Sequence, residues 1–184
     1  AGRISKEKNL DLLLEAYSSF IAPTNQNVKL LFAGDFDYRE ELEQKARATG
    51  LGERIIFTGH FQRQKLGVVY ASADVFAFPS LTDTQGLVLH EAAGAGLPLV
   101  LCDAHVSEIF HSNSNGLLAE NEPQDFAEKI MNILSDAKMI RSMGKKSKEY
   151  AAEHTEEKQI KDLEVLYTRS IKNHKKIQFA GGEW

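Results

Sequence analysis

The sequence predicts an α/β domain of the Rossmann-like type, in which helices cover both faces of a parallel β-sheet. Short apolar segments such as "VKLLFAG", "DVFAFPS" and "LPLVLCD" alternate with helical segments along the chain. Uninterrupted apolar runs of this length are typical of strands buried on both faces. Since open parallel sheets bind ligands beyond the carboxyl ends of their strands, the turns there predict a ligand cleft. Four strands end in such turn residues, at Gly34, Gly59, Pro79-Ser80 and Cys102-Asp103.

The first predicted elements are a helix, a strand and a second helix. Asn9 is expected to cap the first helix. The strand covers residues 28–34 and ends in a glycine. The second helix, "YREELEQKARATG", is predicted to begin after Asp35 or Asp37 and to end at Gly50. Apolar residues at helical spacing support the first helix, namely Leu10, Leu13, Leu14 and Tyr17.

The rest of the chain continues the alternation. Further strands are predicted at residues 54–59, 74–80, 97–103 and 115–119. Further helices are predicted at "QKLGVVYASA", at residues 87–95 and at residues 123–134, with helical segments continuing to about residue 174. Since there is no repeat or flexible linker, we expect residues 1–184 to form one domain, with residues 155–184 as a helical extension.

The composition fits a globular domain of a reducing compartment. The chain has 184 residues, 42% of them hydrophobic, and a net charge of −4, which gives no signal for nucleic-acid binding. Cys102 is the only cysteine, so no internal disulfide can form and a cytoplasmic location is expected. No apolar run approaches the roughly 20 residues that span a bilayer. The abrupt start, "AGRISKEKN", leads us to expect a longer parent protein.

Common nucleotide and metal motifs are missing from the sequence. "FAGDFD" offers one glycine where the dinucleotide fingerprint needs three, and "GKKS" lacks the upstream glycine and strand of a phosphate loop. The six histidines do not have zinc-site spacing, so no metal is expected.

Two acidic residues in an otherwise apolar stretch, "TDTQGLVLHEAAGAGLP", indicate a polar ligand. Gly86 precedes the helix at 87–95, whose N-terminal N–H groups can bind an anion. Asp83 and Glu91 would flank that anion, and carboxylates suit the hydroxyls of a sugar. Alternatively, Thr82 and Gln85 form a capping box, Asp83 is a first-turn residue, and Glu91 is simply exposed.

Two cations near the start of the chain favour the ligand interpretation. Arg3 and Lys8 lie just after a predicted strand end in "GRISKEKN". A guanidinium fork and an ammonium both suit phosphate oxygens. Together with a helix N-terminus, they would neutralise a diphosphate.

The blocks "GRISKEKNLDLLLEAY", "FTGHF", "LGVVYASADVFAFPS" and "TDTQGLVLHEAAGAGLPLV" resemble, in order and spacing, the C-terminal domain of retaining glycosyltransferases of family four. "NGLLAENEPQDFAEKIMNIL" resembles the block that follows, so the likeness covers about residues 1–135. That resemblance implies the C-terminal half of a glycosyltransferase-B fold, which holds the nucleotide-sugar donor, and an N-terminal acceptor domain missing from this fragment.

The resemblance also implies roles for individual residues. Glu91 corresponds to the acid that binds the ribose, and Asp83 to the acid that faces the donor sugar, where the family has the longer Glu. Arg3 and Lys8 correspond to the phosphate-binding pair, and these four residues form the expected catalytic set. The expected donor-binding set is Gly2, Phe61, Leu66, Thr84, Gln85, Gly86, Leu87 and Val88, with Phe61 and Leu66 against the base.

The function implied by the resemblance is metal-independent, retaining transfer of a hexose to a lipid or glycan acceptor. A UDP-sugar, such as UDP-glucose, is expected in preference to a GDP-sugar, and no cofactor is expected. The tetrapeptide "DTQG" is similar to that of bacterial diacylglycerol glucosyltransferases. The isolated domain is expected to be inactive or weakly active. A non-catalytic nucleotide-binding or regulatory module stays open, whereas a sugar-phosphate isomerase would need a histidine such as His90 beside the carboxylates.

The C-terminal segment predicts peripheral contact with the inner face of the plasma membrane. Its basic residues, Arg169, Lys172, Lys175 and Lys176, are accompanied by the aromatic residues Phe179 and Trp184. One helical face is apolar, with Ile160, Leu163, Tyr167 and Ile171. Alternatively, this face packs towards the N-terminal domain.

Overall fold

The fold is seen in a computed structural model that describes residues 1–60, 65–83 and 86–155, with 158, 160, 161 and 164–171. The strands are β1 (Leu30–Phe32), β2 (Ile55–Phe57), β3 (Phe76–Phe78), β4 (Leu99–Leu101) and β5 (Gly116–Leu118). The helices are α1 (Leu10–Glu15), α2 (Arg39–Ala48), α3 (Leu66–Ala71), α4 (Leu87–Ala95), α5 (Pro123–Leu134) and α6 (Ala137–Glu153). A π-helical segment, Ala16–Ile21, extends α1, and Lys6–Lys8 form a 3-10 turn before it.

All strand pairs are parallel, as predicted, but they form two sheets. One sheet pairs β1 with β2, and the other has the order β3–β4–β5. Phe76 lies opposite Leu99, and Leu99 opposite Gly116. A cavity of about 1000 Å³ lies between β1 and β3 and reaches the carboxyl ends of both strands.

Helices cover both faces of the strands, which confirms the predicted fold class. Val100 of β4 packs in a cluster with residues of α1 and α5. Its neighbours Leu99 and Leu101 pack in a second cluster with residues of α3 and α4. Successive side chains of a strand point to opposite faces, so both faces of β4 are buried. This burial explains why every residue of β4 is apolar.

The predicted helix caps at Asn9, Asp35 and Asp37 are wrong. Asn9 has φ 56° and does not cap α1 with its side chain. Helix α2 begins only at Arg39, after Tyr38, whose N–H donates to the Ile4 carbonyl oxygen. Tertiary contacts therefore decide where both helices start. Capping rules consider only neighbouring residues in the sequence and do not include such contacts.

Beyond α6, residues 164–171 are helical. Leu163 and residues 172–184 lie outside the described residues; that range contains Lys172, Lys175, Lys176, Phe179 and Trp184. In the part of the chain that the structure describes, no helix is both long and apolar enough to cross a membrane.

Candidate functional site

The start of α4 and the carboxyl end of β3 line the same cavity. Gly86 precedes the helix with φ 51° and ψ 39°, and a Cβ at this position would lie 2.8 Å from Leu89 Cδ1. Glycine is therefore the residue that both the backbone and the space accept. Among the described residues, nothing accepts hydrogen bonds from the N–H groups of Leu87 and Val88. These donors can bind an oxyanion.

The capping-box interpretation of this loop is wrong. Helix α4 begins after Gly86, so Asp83 lies outside its first turn. The Thr82 hydroxyl donates to the Glu7 carbonyl oxygen at 3.2 Å, so it joins two loops instead of capping the helix. Gln85 lies outside the described residues, as do Thr84 and Phe61.

An ion pair joins the two predicted charge clusters. Lys8 Nζ lies 2.6 Å from Asp83 Oδ2, and their side chains are 18% and 21% exposed. Partial burial reduces the screening of this pair by solvent. The adjacent Asn9 donates to the Pro79 carbonyl oxygen at 3.1 Å and to Asn121 Oδ1 at 2.8 Å. Asn9 therefore ties the Lys8 turn to the loops that follow β3 and β5.

Seven of the predicted residues line the cavity between β1 and β3. The first residues of the chain lie against both the end of β1 and the start of α4: the Gly2 N–H donates to the Ala33 carbonyl oxygen at 2.9 Å, and a Cβ on Gly2 would lie 3.4 Å from Val88 Cγ1. The exposed Arg3 guanidinium lies 5.4 Å from the centre of the Phe36 ring. The seven are Gly2, Arg3, Lys8, Asp83, Gly86, Leu87 and Val88.

Glu91 is exposed on α4, and a buried tyrosine holds it. The Tyr70 hydroxyl, on α3, donates to Glu91 Oε2 at 2.8 Å. Burial of the Tyr70 phenol, and secondly its bond to the Glu91 carboxylate, raise the pKa of Tyr70 well above its usual value. Tyr70 therefore remains a neutral donor, and its ring lines the cavity, whereas Glu91 itself is not part of the cavity lining.

Tyr70 is the residue that the sequence analysis missed. A buried tyrosine hydroxyl usually has a partner, which is the available signal, but the sequence does not identify Glu91 as that partner. Leu66 was predicted to contact the base, yet it packs against the second core cluster and is not part of the cavity lining. In this position Leu66 is a core residue.

His90 faces away from the acids. Its Nε2 lies 3.2 Å from Ser107 Oγ, and burial is the main cause that lowers its pKa. The position does not support the isomerase alternative. Within the residues described, no group of three His, Cys, Asp or Glu side chains could hold a metal ion.

Comparisons of this chain with known proteins identify a family. The family model described as glycosyl transferases group 1 matches residues 1–150. The sulfoquinovosyl transferase SQD2 of Arabidopsis thaliana is 33% identical over 153 residues, which are 80% of this chain and 28% of that protein. The alpha-monoglucosyldiacylglycerol synthase of Acholeplasma laidlawii is 27% identical over 95% of this chain and 44% of its own length. A GDP-mannose-dependent alpha-(1-6)-phosphatidylinositol dimannoside mannosyltransferase of Mycobacterium tuberculosis is 34% identical, over 73% of this chain and 34% of its length. The chain thus spans less than half the length of these relatives.

Solved structures agree with the fold. The C-terminal domain of a glycosyl transferase group 1 family protein, LpcC of Francisella tularensis, superimposes with a TM-score of 0.74 at 25% identity, covering 83% of this chain and 82% of that domain. Sucrose-phosphate synthase of Thermosynechococcus elongatus gives a TM-score of 0.81 at 24% identity, over 94% of this chain and 45% of its own. These neighbours have the glycosyltransferase-B fold.

Proposed function

We propose that this chain, which belongs to the group 1 glycosyl transferases, is the donor-binding half of a retaining hexosyltransferase that uses a UDP-sugar. The observation that carries the proposal is the convergence of Lys8, Asp83 and the start of α4 on one cavity. The donor diphosphate would lie on the N–H groups of Leu87 and Val88, the sugar near Asp83, and the ribose near Glu91.

The proposed chemistry follows from the charges around that cavity. As the bond between sugar and diphosphate breaks, negative charge develops on the leaving phosphate oxygen. Arg3, Lys8 and the α4 dipole would stabilise it, because preorganised positive groups act strongly in a partly desolvated site. Asp83 would hold Lys8 in place and accept hydrogen bonds from the sugar. Asp83 and Glu91 orient the donor in this scheme, and neither attacks it.

The proposal has three finer parts. The preferred nucleotide is UDP, the sugar is glucose, and the acceptor is a lipid or a glycan. The loop sequence Asp83–Gly86 supports a diacylglycerol-type glucosyltransferase, and one relative is named for synthesis of monoglucosyldiacylglycerol. Because one relative is named as GDP-mannose-dependent, GDP is the competing nucleotide. The acceptor would require the polypeptide that the longer relatives possess. Peripheral membrane contact through the C-terminal segment would accompany a lipid acceptor.

Calorimetry on this chain with UDP, GDP, ADP and inorganic pyrophosphate tests the proposal. We expect UDP to bind with a dissociation constant on the order of 1 mM and GDP to bind more weakly. Glu91→Ala should weaken UDP binding without changing pyrophosphate binding. No heat and no NMR chemical-shift change with any of the four ligands would contradict the proposal. Hexose transfer by the complete protein then separates the enzyme from a non-catalytic binding module.

A further inference from the structure

Asn9 lies between Lys8 and α1 in a backbone conformation that is uncommon for a residue with a side chain. Its φ is 56° and its ψ is 35°, which is the left-handed region. The Asn9 N–H donates to the Lys6 carbonyl oxygen at 3.2 Å and closes the turn Lys6–Lys8, called here the Lys8 turn. The Asn9 carbonyl oxygen accepts from the Leu12 N–H of α1, also at 3.2 Å. Asparagine tolerates this conformation better than most residues, so Asn9 can set the direction in which the chain leaves the Lys8 turn.

The side-chain amide of Asn9 has one orientation that fits its partners. Its Nδ2 donates to the Pro79 carbonyl oxygen at 3.1 Å and to Asn121 Oδ1 at 2.8 Å. Because a backbone carbonyl oxygen only accepts hydrogen bonds, the amide nitrogen and not the amide oxygen must face Pro79. These two bonds use both N–H groups of the amide. The position therefore requires an amide on a left-handed backbone, whereas glycine would supply the backbone alone.

These two bonds connect the Lys8 turn to the second sheet. The chain that leads into the turn is bonded to the first sheet's side, because the Ile4 N–H donates at 3.1 Å to the carbonyl oxygen of Asp35, which follows β1. The two acceptors of the Asn9 amide instead follow β3 and β5, which belong to the other sheet. The Asn9 amide therefore joins loops at the carboxyl ends of both sheets.

Lys8 needs such an anchor because its ammonium is carried on a long, flexible stem. Lys8 Nζ lies 2.6 Å from Asp83 Oδ2, and Asp83 belongs to the loop that begins at Pro79. The Asn9 amide thus bonds to the same loop whose carboxylate pairs with Lys8. Lys8 lines the cavity, whereas Asn9 is not part of the lining. Asn9 is therefore placed to act through Lys8 and not to contact a ligand itself.

We propose that Asn9 is a positioning residue for Lys8. Its left-handed backbone and its amide together fix the Lys8 turn, so that the ammonium reaches Asp83 and, in the same place, a phosphate of the donor. Without the amide, the turn moves more freely relative to the loop after β3, and the ammonium spends less time at Asp83. The statement about the phosphate rests on the proposed function, whereas the statement about the contact with Asp83 does not.

Asn9→Gly tests this role without a ligand, because glycine keeps the left-handed backbone and removes the amide. The matched control is Asn113→Gly, at an exposed residue before β5 with φ 62°. In the described part of the chain, Asn113 is the one other residue besides the glycines that has a positive φ. NMR follows the ammonium group of Lys8. We expect its signal to shift and its protons to exchange faster with water in Asn9→Gly, and to stay unchanged in the control.

A double-mutant cycle tests the effect on binding. NMR titrations with UDP and with inorganic pyrophosphate are made on the unchanged chain, Asn9→Gly, Lys8→Ala and the double variant. We expect Asn9→Gly to raise both dissociation constants by roughly three- to tenfold, the effect of one lost hydrogen bond. In the Lys8→Ala background, Asn9→Gly should have no further effect, because the ammonium that it positions is gone.

Other outcomes overturn the proposal. An unchanged Lys8 ammonium signal in Asn9→Gly means that the amide does not position Lys8. Equal weakening of binding by Asn9→Gly with and without the Lys8 side chain also contradicts the proposal, because Asn9 would then act by another route. Urea unfolding of each variant accompanies the titrations, and a loss of stability with unchanged dissociation constants would make Asn9 a structural residue only. If the unchanged chain binds neither ligand, the proposed function fails, and the Lys8 ammonium signal alone decides whether Asn9 positions Lys8.

Discussion

At the scale of single residues, the ion pair between Lys8 and Asp83 shows what an aspartate contacts at a position where the resembling family has a glutamate. The 2.6 Å contact draws the Asp83 loop towards the Lys6–Lys8 turn. Thr82 bonds to the same turn through Glu7, so two contacts hold the loop. A shorter acid then reaches the lysine directly. The sequence predicted both residues but assigned them to different parts of the donor, because their contact joins positions that are 75 residues apart.

We expect Asp83→Ala to weaken UDP binding by roughly tenfold or more, because it leaves Lys8 partly buried without its partner. Asp83→Glu should be milder, since it keeps the charge. Isothermal titration calorimetry measures both. The control is Glu149→Ala, which breaks an exposed ion pair with Lys146 on α6 and should leave binding unchanged. Equal losses in Asp83→Ala and Asp83→Glu would show that the loop is shaped around the shorter acid.

Tyr70→Phe tests whether the phenol positions Glu91. The substitution removes a hydrogen bond of the kind that contributes about 0.5–1.5 kcal/mol. We expect the dissociation constant for UDP to rise by about two- to tenfold, while that for pyrophosphate, which has no ribose, stays the same. Tyr167→Phe, at a tyrosine that is 65% exposed, is the matched control. A parallel loss for UDP and pyrophosphate would instead indicate a structural role for Tyr70.

At the scale of elements, the sequence predicted helix bodies better than helix starts. The bounds of α4 and α5 agree with the prediction because dense apolar periodicity, Pro123 at one start and Gly96 at one end are local signals. The start of α2 and the role of Asn9 were missed because contacts with Ile4, Pro79 and Asn121 decide them. Local patterns do not contain such distant partners.

The contact between α6 and the end of α4 gives a prediction of its own. A Cβ on Gly144 of α6 would overlap the carbonyl oxygen of Gly96, whereas one on Gly94 of α4 would meet nothing. We therefore expect Gly144→Ala to destabilise the fold by about 1–3 kcal/mol. Gly94→Ala should be neutral or stabilising by up to about 1 kcal/mol, because alanine favours the helix. Urea unfolding measures the free energy of unfolding of both variants. A Gly144→Ala variant as stable as the Gly94→Ala variant would refute the close contact.

At the scale of the whole molecule, the strand order could not be predicted from the sequence. The alternation of strands and helices predicted parallel pairing and covered faces, and both are present. The division into two sheets was not predicted, because apolar runs indicate that strands are buried without saying which strands are neighbours. The cavity of the proposed donor site lies where the two sheets part.

The helical residues that follow α6 expose an apolar surface, and this leads to the last prediction. Val165, Leu166, Tyr167 and Ile171 are each at least half exposed. In the sequence, this stretch and the residues that follow it contain four basic residues, Arg169, Lys172, Lys175 and Lys176. Each cation near an anionic surface contributes about 1 kcal/mol, so we expect weak binding to vesicles of anionic lipid that is lost at high salt. Sedimentation with vesicles compares the chain with a variant in which the four basic residues are changed to Gln. Equal sedimentation of the two would assign membrane contact to another part of the protein. Salt-sensitive sedimentation of the unchanged chain alone would place the membrane contact in this segment, on the same polypeptide as the proposed donor site.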